Sequence, residues 1–104
     1  MNRRIAFVLL LLAGATRFAY AHTPICDCYD NGDNTITCEG GFSDGGTAAG
    51  IPIHILDSTG KLLIEGNMTE RSEFTFTRPD DNFSVEFDGG DGHVVKIDGR
   101  DIEA

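Results

Sequence analysis

From residue 22 onward the apolar residues recur at every second position in short runs, and turn residues separate the runs. Ile51, Ile53 and Ile55 alternate with Pro52, His54 and Leu56. Phe74 and Phe76 alternate with Glu73, Thr75 and Thr77, and Phe83, Val85 and Phe87 with Ser84, Glu86 and Asp88. A period of two is the mark of a half-buried strand, and no stretch sustains the 3.6-residue period of a helix. Asn34–Glu39, Lys61–Glu65 and His93–Asp98 complete about six strands, with room for a seventh around Ile25–Tyr29. Asp57-Ser58-Thr59-Gly60 is a turn that makes a hairpin of the strands on either side. Pro52 has no N–H to give a ladder, which predicts an edge for its strand there. The fold class expected is all-β: a small antiparallel two-sheet sandwich whose inward Ile, Phe and Val side chains fill one thin core.

The first 21 residues break this pattern. Arg3 and Arg4 precede an apolar run from Ile5 to Ala13, and Ala19-Tyr20-Ala21 supplies a small-x-small end. This is the layout of a secretory signal peptide, with a run too short to span a bilayer. The expected organisation is therefore 1–21 signal peptide and 22–104 β-sandwich, opening on a Cys-containing segment, 22–33. Residues 1–21 carry three of the eight basic residues and none of the seventeen acids, so cleavage takes the formal charge from −9 to −12. A domain this acidic does not bind nucleic acid through phosphates, is repelled by anionic lipid surfaces, and attracts cations. The expected location is periplasmic or secreted.

Cleavage after Ala21 changes the chemistry of one residue. His22 becomes the N-terminus, and an N-terminal His holds an α-amine and an imidazole that close a six-membered chelate ring on one metal ion. Free amines titrate at about 7.7–8.0 and imidazoles near 6.5, so both are available around neutrality. Nitrogen ligands of this kind suit Ni, Cu, Co and Zn. The plain alternative is that His22 is only the residue the peptidase leaves. A second imidazole, His93, follows Gly92 and shares strand parity with Val95 and Ile97, which points it towards the core side at the start of a strand. By itself it reads first as a half-buried histidine bonded to a loop. His54 lies on the face opposite Ile53 and Ile55 and is set aside as a ligand.

Three cysteines, Cys26, Cys28 and Cys38, are an odd number for an exported chain. An oxidising compartment favours one disulfide. A hairpin through Asp30–Asn34 brings Cys38 opposite Cys28 or, in a shifted register, nearer Cys26. The remaining thiol is then free, or joins His22 as a metal ligand, with Cys26 and Cys28 as the candidates. The acidic loop Asp27–Asp33 fails as a calcium loop, because Tyr29 and Cys38 stand where oxygen ligands are needed. No catalytic triad, phosphate loop or zinc-protease motif is present, and no enzymatic activity is expected.

The segment from Cys38 to Ile97, together with His22, resembles the small exported accessory proteins of bacterial nickel and cobalt uptake systems, the NikL or CbiL type. More broadly it is similar to carboxypeptidase-regulatory and transthyretin-like sandwich domains. The resemblance rests on Phe42-Ser43-Asp44-Gly45 and on the run from Asp57 and Gly60 through Glu65-Gly66 to Phe74-Thr75-Phe76. It also rests on Asp91-Gly92-His93 after Gly89-Gly90, and on the Ala21-His22 junction. Ser72 departs from it, standing where a turn Gly is usual. The resemblance implies Ni²⁺ or Co²⁺ bound by His22 and His93 and delivered to membrane transporter components. The segment Thr23-Pro24-Ile25-Cys26-Asp27-Cys28 departs from it as well, and thiolate ligands would shift the preference towards Cu(I) or Zn. Two other readings stand beside this one: a metal-free envelope adaptor docking through an edge such as the Pro52 strand, and copper or thiol-redox handling through the cysteines.

Overall fold

The computed structural model describes residues 22–104; the expected signal peptide, 1–21, lies outside the described residues. Seven strands form two antiparallel sheets: β1 (Pro24–Asp30), β2 (Thr35–Phe42), β3 (Pro52–Asp57), β4 (Leu62–Asn67), β5 (Glu73–Thr77), β6 (Phe83–Asp88) and β7 (Val94–Asp98). One sheet has the order β1-β2-β5 and the other β4-β3-β6-β7. The only helical turn among the described residues is a short 3-10 turn, Gly99–Asp101. Alternation decides which side chains meet between the sheets. Ile36, Cys38, Ile53, Ile55, Val85 and Phe87 are fully buried, and Phe76 and Phe83 nearly so. Ala48, Met68 and Ile102 join them from outside the strands, as apolar plugs contributed by loops and by the C-terminal tail.

Turn chemistry closes the hairpins. Asp57 Oδ1 accepts from the Thr59 and Lys61 N–H groups and the Thr59 hydroxyl, pinning the expected turn between β3 and β4. Asn34 takes a left-handed φ of 70°, so it belongs to the turn and β2 begins one residue later than the pattern predicts. At one end of the sandwich Arg78 ties the sheets together. It donates to Asp30 Oδ2 at 2.8 Å and to the Gly99 carbonyl, and it lies over the Phe83 ring.

Two expectations need correction. The strand bearing Pro52 is not an edge: β3 runs between β4 and β6. Pro52 is tolerated because it is the first residue of the strand, where its register partner is Asn67 on β4 and the pairing with β6 starts only at Ile53. His93 is not at the start of a strand facing the core. It closes the turn after Asp88, with its N–H donating to the Gly90 carbonyl and its own carbonyl accepting from Gly89, and it is exposed.

Candidate metal-binding cleft

The β1–β2 hairpin builds one wall of a cleft at the end of the sandwich opposite Arg78. Cys28 faces Cys38 in its register, and the pairing runs outward to Pro24 facing Phe42. Beyond that pair the two chains stay together: the Ser43 N–H donates to the Thr23 carbonyl at 2.8 Å and the Thr23 N–H to Ser43 Oγ at 3.0 Å. His22 is thereby held against the β2 end. Its ring stacks on Phe42, with centroids 4.2 Å apart and planes 9° from parallel. Its Nδ1 lies 2.8 Å from Asp44 Oδ2. That contact is the first reason Asp44 sits below the usual carboxylate range; a hydrogen bond from the Gly46 N–H adds to it.

The opposite wall is the β6–β7 turn. Asp88 Oδ1 accepts from the Gly90 N–H, and Gly90, Asp91 and Gly92 all take positive φ, which folds the turn tightly. Gly89 is required by a close approach: a Cβ there would fall 2.8 Å from Pro24 Cβ and 3.0 Å from the His93 carbonyl oxygen. Pro24 thus packs directly on the turn that carries His93. His22, Thr23, Pro24, Phe42, Gly89, Gly90, Asp91 and His93 line a single cavity of about 260 Å³. The two histidines singled out in the sequence, 71 positions apart, open onto one space.

The cysteines are elsewhere in the packing. Cys28 and Cys38 form a disulfide, with sulfurs 2.02 Å apart, inside the sandwich. Cys28 therefore has no thiolate to offer a metal in this form. Cys26 is a free, half-buried thiol packed against the core, and burial, with Asp27 adding to it, pushes its pKa up to about 11. Among the described residues, Cys26, Cys28 and Cys38 are the one group of three potential ligands whose donor atoms lie together, and neither histidine is in it. The mixed set of His22 with Cys26 or Cys28 is not assembled.

His54 lies on the outer face of its sheet, in one row with Glu65, Glu86 and Lys96, and the Lys96 ammonium pairs with Glu86 at 3.2 Å. A larger hollow of about 650 Å³ lies at the other end, lined by Asp57, Phe83, Lys96, Asp98 and Arg100 among others. Its cations are already paired, Arg100 with Asp98 at 2.7 Å and Lys96 with Glu86 at 3.2 Å. Phe42, which lines the cavity under the His22 ring, and Asp44, which bonds His22 beside it, are contacts that reading the sequence did not mark as site residues. Comparisons of the chain with family models, with curated proteins and with solved structures give no match, so the resemblance rests on the quoted motifs alone.

Proposed function

We propose that this chain is an exported, non-catalytic metal-binding accessory protein that holds Ni²⁺ or Co²⁺ in the His22–His93 cleft and presents it to a membrane importer. The observation that carries this reading is the shared cavity of His22 and His93. Trimming after Ala21 would free the His22 amine at the rim of that cavity. The amine and Nδ1 then close the chelate, with the metal taking the place of the Nδ1 proton. Asp44 Oδ2 fits as a neighbouring ligand. Two atoms bound to one ion at about 2.0–2.1 Å and at right angles are about 2.9 Å apart, close to the 2.8 Å seen between Nδ1 and Oδ2. A set of two imidazoles, an amine and a carboxylate favours borderline divalent ions over soft Cu(I). His22 and His93 are exposed, as release to a partner requires, and the −12 charge raises the local concentration of cations.

The test is calorimetric titration of the secreted, processed chain with Ni²⁺, beside a form carrying one extra residue before His22. The expected result is binding of one ion, weakened at least tenfold by the added residue and weakened by acid, because the ligands must lose protons. Equal affinity in the two forms removes the chelate.

A metal-free adaptor is the second reading. It draws on β4, a true edge strand, where Leu62 and Leu63 are both nearly half exposed. Capture of an envelope partner that persists in chelator would favour it.

A further inference from the structure

The cleft does not use the cysteines. All three sulfurs lie within 4.8 Å of one another in the core-facing layer of the β1–β2 hairpin. Cys26 and Cys28 stand two apart on one face of β1, and Cys38 stands across from Cys28 on β2. Gly40 stands across from Cys26, so no cross-strand side chain separates it from the core. Phe74 flanks Cys38 on its other side, from β5. The three sulfurs form a compact cluster in and against the hydrophobic core.

Three thiolates around one ion, with metal–sulfur bonds of about 2.3 Å, sit roughly 3.8–4 Å apart. The three sulfurs already lie within 4.8 Å of one another, and breaking the Cys28–Cys38 bond lets all three act as thiols at that range. We propose that the trio is a second, redox-gated metal site: a three-sulfur nest for a soft monovalent cation, Cu(I), closed in the oxidised protein and opened by reduction. Thiolates select soft ions, and Cu(I) is satisfied by three of them, whereas a structural zinc site calls for four ligands and the cluster supplies three.

The steps balance. A dithiol reductant gives two electrons and two protons to the Cys28–Cys38 bridge, the S–S bond breaks, and the reductant leaves as its own disulfide. Cu(I) then displaces the protons of the three thiols, so three S–Cu bonds form, three S–H bonds break, and three protons pass to solvent.

The experiment reduces the secreted chain with a phosphine, removes the phosphine without air, and titrates with Cu(I) against a chromogenic competitor. Circular dichroism follows the fold throughout. The reduced wild type is expected to take up one Cu(I). The unreduced chain should take up none at this site, and reduced Cys26→Ser should bind at least a hundredfold more weakly. His22→Ala is expected to keep Cu(I) uptake, which separates this site from the cleft. Equal uptake by the reduced wild type and Cys26→Ser overturns the proposal. So does a reduced chain that unfolds and that Cu(I) does not restore.

Discussion

His22 and Asp44 are 22 residues apart in the chain and 2.8 Å apart in space. Their meeting follows from the cysteines. Once Cys28 faces Cys38, every antiparallel pair in that hairpin has residue numbers of the same sum, and continuing outward sets 22 opposite 44. The sequence left the register open between Cys28 and Cys26, and with it the identity of the residue beside His22. That is why Asp44 was legible as part of the Phe42-Ser43-Asp44-Gly45 motif but not as a candidate ligand. Ser72 shows a similar gap. It holds a left-handed φ of 60° where glycine is easier, and its hydroxyl compensates by accepting from the Ala48 N–H and bonding Thr47 Oγ1. Replacing Asp44 with Asn removes the proposed carboxylate ligand and should weaken Ni²⁺ binding by at least about 10–100-fold, the usual cost of losing a residue that only hydrogen-bonds a metal ligand. The fold should survive, because both side chains are well exposed. The sign with pH follows from the lowered Asp44 pKa: the native contact is present above the ordinary Asp range and is lost as pH falls through the depressed value. Titration of the variant beside wild type at neutral pH reads the effect.

Strands were the most legible level. Runs such as Phe83-Ser84-Val85-Glu86-Phe87 bury every second residue, and the structure does the same. The order of strands was not legible, because alternation says which face is buried and nothing about who lies beside whom. β3 shows this: the lost N–H of Pro52 suggested an edge, and the strand sits inside its sheet. Pairing also reveals a cost invisible in the linear sequence. Asp27, Glu39 and Glu73 come from three strands and stand side by side in one row of the β1-β2-β5 sheet. Directly opposed like charges destabilise a sheet. Glu39→Lys should therefore stabilise the domain by roughly 0.2–1 kcal/mol, an effect that shrinks in high salt. Urea melts at low and high ionic strength check it, and a loss of stability would mean that the Tyr29 hydroxyl bond to Glu39 outweighs the repulsion.

At the scale of the molecule, residues 22–104 make one thin sandwich, small enough that its stability is marginal. A disulfide closing a loop of ten residues adds roughly 2.5–3 kcal/mol in the chain-entropy account. The bridge also fixes the hairpin that sets His22 against Phe42, so the same bond supports both the fold and the cleft. The two ends of the sandwich differ. Arg78, Asp30 and the tail, with the Asp30 N–H donating to the Glu103 carbonyl, close one end, while the His22–His93 cleft lies open at the other. Among the described residues no helix is long and apolar enough to cross a membrane. The central claim is that a divalent ion sits between His22 and His93. Anomalous diffraction at the nickel edge, from crystals of the chain beginning at His22 grown with one equivalent of Ni²⁺, tests it most directly. The account predicts one peak within about 2.1 Å of the His22 amine and Nδ1 and in bonding reach of His93. A peak at the sulfur cluster or in the hollow near Arg100, or no peak in the cleft at full metal load, would contradict it.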